Sequence, residues 1–92
     1  MTAPTVERVA TIVNPLGLHA RPAAQMVRLA STFAADIAVF KDGMEVNGKS
    51  IMGVMMLAAE CGSSITIKAS GADAERAVQA LTDLVAGGFG EM

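Results

Sequence analysis

Pro15-Leu16-Gly17-Leu18-His19-Ala20-Arg21-Pro22 is the stretch on which the fold turns, because it separates two segments of different periodicity. Upstream, Val6 to Val13 is rich in Val, Ile and Thr and runs into Asn14, Pro15 and Gly17, which is strand composition followed by turn residues. Downstream, Ala23, Met26, Val27, Ala30 and Phe33 recur at spacings of three and four, the apolar stripe of a helix, while Arg21, Gln25 and Arg28 point elsewhere. Pro22 suits the first turn of that helix, where a backbone N–H would have no partner. It therefore predicts a helix of about 14 residues beginning close to His19.

The pattern continues outward. Asp36 to Lys41 and Met44 to Asn47 read as strands joined by Asp42-Gly43, a dipeptide that tolerates positive φ in a tight hairpin. Ser50 to Leu57 reads as a short helix with Ser50 near its N-cap, weakened by Gly53. Ser64 to Ser70 alternates Ile65, Ile67 and Ala69 with Thr66 and Lys68, the mark of a half-buried strand. Asp73 then caps a last helix that buries Ala77, Val78, Leu81, Leu84 and Val85. The order strand, helix, strand, strand, helix, strand, helix suits helices on one face of a mainly antiparallel sheet, an α+β open-faced sandwich. Residues 1–92 are expected to form a single domain, with the glycine-rich segment 87–92 as a frayed tail.

Composition narrows the function. The chain is 52% hydrophobic and 17% charged, enough apolar material for a core, and with three aromatic residues that core must be aliphatic. Seven methionines exceed what such a core needs, and a flexible thioether also suits surfaces that meet several partners. A net charge of −2 with dispersed Lys and Arg gives no footprint for nucleic acid. The apolar run from Ile51 to Ala59 is far shorter than the roughly 20 residues of a membrane span, and the N-terminus has no signal pattern. A cytoplasmic monomer is expected, without membrane insertion. Cys61, the one cysteine, is read as a small packing residue; it permits no internal disulfide and no thiolate cluster.

His19 is the sole histidine and lies where a flexible turn meets a helix start. The first amides of a helix are unpaired and carry the positive end of its dipole, so they hold an attached anion and disfavour an imidazolium. A neutral ring nitrogen at that place is a nucleophile, and a phosphoryl group on it would be met by the first-turn amides of Ala20 and Arg21. The Arg21 guanidinium adds a permanent cation with a fork matched to phosphate. Metal ligand clusters and phosphate-cradling glycine loops are missing from the sequence, so no metal and no cofactor is expected. These residues describe a stoichiometric carrier rather than an enzyme, with the remaining catalytic groups supplied by partners.

Gly17-Leu18-His19-Ala20-Arg21-Pro22-Ala23, followed by Lys49-Ser50-Ile51-Met52-Gly53-Val54-Met55, resembles the HPr family, the phosphocarriers of the bacterial phosphotransferase system. The likeness extends over nearly the whole chain. It implies a sheet of strand order 1-4-2-3 covered on one face by three helices. It also implies that enzyme I, charged by phosphoenolpyruvate, phosphorylates His19 on Nδ1, that Arg21 steadies the phosphate, and that an enzyme IIA component receives it. Ser50 is by the same resemblance a second, regulatory phosphorylation site for an ATP-dependent HPr kinase/phosphorylase. Leu16 stands where several members carry a small polar residue, and Met56 where some carry serine.

A phosphate on Ser50 would be tolerated at a helix N-cap, yet it would set nearly two negative charges beside Ile51, Met52 and Met55. With Leu18, these residues are expected to form the partner-docking patch. Rival readings are a noncatalytic regulatory docking module, a carrier of the nitrogen-related branch, and a small phosphatase that uses Arg21 to bind phosphate. The last lacks a water-activating group.

Overall fold

In the computed structural model, which describes residues 4–91, β1 (Thr5–Thr11) forms from the first Val- and Thr-rich run. The later strands are β2 (Asp36–Lys41), β3 (Met44–Asn47) and β4 (Ser64–Ser70), and the helices are α1 (Ala20–Ala30), α2 (Ile51–Met56) and α3 (Ala74–Ala86). The order is that expected from the sequence; β1 ends at Thr11 rather than Val13, and α1 is 11 residues long because the chain turns after Ala30. The sheet order is β1-β4-β2-β3, every pair antiparallel. Asp42 and Gly43 close the β2–β3 hairpin with φ of 49° and 81°, the two left-handed residues that match the twist of a two-residue turn.

The period of two decides which face is covered. Ile65, Ile67 and Ala69 of β4 pair across to Ala10 of β1 and to Val39 and Ile37 of β2, and all of them are buried under the helices. Each large aliphatic side chain so buried contributes about 1.5–3 kcal/mol. Ala23, Met26, Val27 and Ala30 of α1, Val54 of α2 and Ala77, Val78, Leu81 and Val85 of α3 complete one hydrophobic cluster. At its rim Arg8 reaches from β1 to Glu75 and Gln79 of α3, at 2.9 Å each. No helix among the described residues is long and apolar enough to cross a membrane.

Three expectations are corrected. Asp73 stands at the N-cap of α3, but its side chain makes no capping bond. Its two carboxylate oxygens instead accept from the amides of Ala34 and Ala35 at 2.8 Å, tying the turn after α1 to the start of α3. Those bonds hold its pKa below the ordinary carboxylate value, against the opposing effect of desolvation. Cys61 is exposed rather than packed, because it sits in the turn before β4 with its thiol toward the Val13 carbonyl. Over Gly87–Glu91 the tail is folded rather than frayed: a 3-10 turn at Gly88–Gly90 sinks Phe89 to 3% exposure in the core, while Met92 lies outside the described residues. Phe89 adopts φ 55° between Gly88 at 66° and Gly90 at 75°, so the backbone hooks back on itself.

Candidate functional site at the start of the first helix

Local backbone bonds seat His19. Asn14 O accepts from Gly17 N at 3.0 Å, Gly17 O from His19 N at 2.9 Å, and Ala59 O from Leu18 N at 2.8 Å. Gly17 has φ +69°, and a Cβ there would meet Ala59 O at 2.5 Å, so the loop after α2 can lie against the turn only because this residue is glycine. His19 is the N-cap of α1, its backbone extended and its carbonyl accepting from Ala23 N at 3.0 Å. The amides of Ala20 and Arg21 therefore open the helix beside the ring, and Pro22 follows without one.

The imidazole side chain is 36% exposed. Its Nε2 lies 3.0 Å from both carboxylate oxygens of Glu91, a residue 72 positions away. Asn14, fully buried, donates through Nδ2 to Gly17 O at 2.8 Å and to Glu91 Oε1 at 3.0 Å. Both acceptors fix the orientation of the amide, which leaves Asn14 Oδ1 buried with no partner among the described residues. A group of that kind costs about 1–3 kcal/mol, a burden the turn carries beside the one histidine. The bond from His19 is the chief cause that holds Glu91 below the usual carboxylate range, opposed by desolvation and aided by Asn14 and the charge of Arg21.

Arg21 is exposed and makes no ion pair among the described residues; it lines a surface hollow with Gln25, Pro15, Leu16, Phe89 and Glu91. Its guanidinium is thus on the same side as the hooked tail. Ala20 is exposed beside it.

Ser50 is the N-cap of α2, its Oγ accepting from Gly53 N at 3.1 Å. Gly53 lets α2 approach β3, since a Cβ there would lie 3.3 Å from Val46 Cβ. Beyond Ser50, Ile51, Met52, Met55 and Met56 are all large exposed side chains, with Met52 at 74%. α2 packs beside α1, so this apolar surface and His19 sit on neighbouring elements. Leu18, placed with them on sequence grounds, is instead 4% exposed. Its side chain enters the core while its amide is tied to Ala59, and the exposed leucine of the turn is Leu16. Asn14 and Glu91 carried no sequence signal of a site; only the folding of the tail over the turn joins them to His19.

A lone accessible imidazole at the first helix start of an open-faced α+β sandwich, with a helix-borne arginine beside it, defines a protein of the histidine phosphocarrier class. A family model described as the PTS HPr component phosphorylation site matches residues 6–87. The chain is 46% identical to the phosphocarrier protein HPr of Cupriavidus necator over 86 residues, 94% of this chain and 97% of the relative. It is 51% identical to the HPr of Neisseria meningitidis over 80 residues, 87% and 90% of the two chains. A crystal structure of HPr from Thermoanaerobacter tengcongensis superposes with a TM-score of 0.91 at 47% identity, covering 95% of this chain and 98% of that one. The chain belongs to the HPr family of phosphocarrier proteins.

Proposed function

We propose that this phosphocarrier accepts a phosphoryl group on His19 from phosphorylated enzyme I and delivers it to an enzyme IIA component in the cytoplasm. The observation that carries the reading is the partly exposed imidazole at the N-cap of α1, with the first helix amides alongside. In the forward step a ring nitrogen lone pair attacks phosphorus as the bond to the donor breaks, and the donor keeps that electron pair. The amides of Ala20 and Arg21 and the Arg21 guanidinium face the three phosphoryl oxygens, and the same groups release the phosphate when an acceptor nucleophile displaces the ring. Ile51, Met52 and Met55 provide the apolar contact that brings donor and acceptor to the ring, with Leu16 and Met56 in place of Leu18 extending exposed apolar surface.

Ser50 is the regulatory site in this reading. Its hydroxyl already accepts a backbone amide at the α2 start, so a phosphate there retains that bond while placing charge against the docking patch. Incubation with enzyme I and labelled phosphoenolpyruvate is expected to give stoichiometric acid-labile, alkali-stable label on the wild type and none on His19→Ala. Equal labelling of the two proteins rules the reading out.

A further inference from the structure

We propose that Met52, Met55 and Met56 form a reversible oxidation site, at which sulfoxide formation closes the docking surface while leaving His19 competent. The inference rests on the docking reading of α2 given above. Met52 is followed at three and four positions by Met55 and Met56, so the three side chains share one helix face. Val54 is the one residue of α2 that is buried, and Met52, Met55 and Met56 stand 74%, 41% and 65% exposed. Three thioethers are thus open to a dissolved oxidant on the element that packs beside α1.

The other methionines make the effect local. Met26 is fully buried in the core, out of reach of such an oxidant, and Met44 is exposed on β3. Methionine oxidation damages many proteins by placing a polar group inside them. Here the core thioether is sealed and the accessible ones on α2 face solvent, so the fold survives a lesion that changes the surface.

The oxidant is a peroxide. A sulfur lone pair attacks one peroxide oxygen, the O–O bond breaks, and the departing hydroxide takes up the remaining proton as water. Sulfur is oxidised by two electrons and the peroxide reduced by two. The product is uncharged but strongly polar, and its oxygen needs a hydrogen-bond donor when a partner covers it. A partner surface shaped for an apolar contact supplies none, so docking weakens while the ring is untouched. Sulfoxide reductases reverse the step: a dithiol becomes a disulfide and the oxygen leaves as water.

Cys61→Ser removes the exposed thiol that peroxide would also attack, and serves as the parent protein. The parent is treated with hydrogen peroxide until peptide mapping finds sulfoxide at Met52, Met55 and Met56. Met26 is expected to stay unoxidised. With enzyme I as donor, KM is expected to rise about tenfold with kcat little changed, and to return after treatment with reductases for both sulfoxide epimers. Phosphoryl uptake from phosphoramidate, a small donor that needs no docking surface, should not change. The variant Met52→Leu, Met55→Leu, Met56→Leu in the same background keeps every other methionine, and its own KM is expected to be the same before and after peroxide. An unchanged parent KM overturns the proposal, as does an equal rise in the variant. A parallel loss of uptake from phosphoramidate also overturns it, by placing the lesion at the ring or in the fold, and this arm needs no variant. Unoxidised parent that takes no label from enzyme I overturns the carrier reading and this inference together; normal labelling with an unmoved KM overturns the inference alone.

Discussion

Gly17 and the carbonyl of Ala59 stand so close that a methyl group on Gly17 would lie 2.5 Å from the oxygen. The same residue has φ +69°, where an L side chain costs about 1–2 kcal/mol even in open space. Gly17→Ala is therefore expected to destabilise the protein by at least about 2 kcal/mol, read by urea denaturation, and to shift the His19 resonances. A variant within about 0.5 kcal/mol of wild type would mean the loop after α2 does not hold the turn.

Acidification should undo the tail before the sheet. Glu91 and Asp73 both have carboxyl pKa values lowered in the fold, the first chiefly by the bond from His19, the second chiefly by the Ala34 amide. A depressed pKa gives stability that is complete above the unfolded value, about 4, and is lost as pH falls through the folded one. The protection of the Gly90 and Glu91 amides, taken relative to intrinsic exchange at each pH, should fall on going below about pH 4. Tail amides as protected at pH 3 as at pH 6 would contradict the assignment.

The Arg21 guanidinium is exposed and pairs with no carboxylate among the described residues, and in the proposed function its fork takes phosphate. Arg21→Ala is expected to slow acceptance by about ten- to a hundredfold, and Arg21→Lys to recover only part, since a point charge replaces two parallel donors. Thermal midpoints should barely move, because the residue is exposed and pairs with no carboxylate among the described residues. Wild-type rates in Arg21→Ala would remove it from the site.

At the α2 start, stability and docking should separate. Ser50→Ala loses the bond to Gly53 N and is expected to cost about 1 kcal/mol while preserving transfer. Met52→Glu, at a side chain 74% exposed, should leave stability within about 0.5 kcal/mol of wild type but raise KM for enzyme I. An unchanged KM would move the docking surface elsewhere.

Much of this architecture was legible because its signals are local. The alternation of Ile65, Ile67 and Ala69, the Asp42-Gly43 turn and the stripe from Ala23 to Ala30 each declare an element within a few residues. His19 was legible for the same reason, the turn and the helix start being its immediate neighbours. Leu18 misled because adjacency to the histidine says nothing about side-chain direction in a tight turn, and this one faces the core. Glu91 was invisible because glycines at 87, 88 and 90 read as slack, whereas here positive φ at 88 and 90 bends the chain and Phe89 pins it. Asp73 was a helix cap by composition, but two loop amides competed for it and won.

His19 and Glu91 meet across 72 positions, with every strand and helix but β1 encoded between them. During synthesis the imidazole therefore leaves the ribosome early and waits for its carboxylate until α3 has followed. A nascent chain would present the imidazole without its counterpart, and a protease trimming behind Val85 would recreate that immature form from the finished protein.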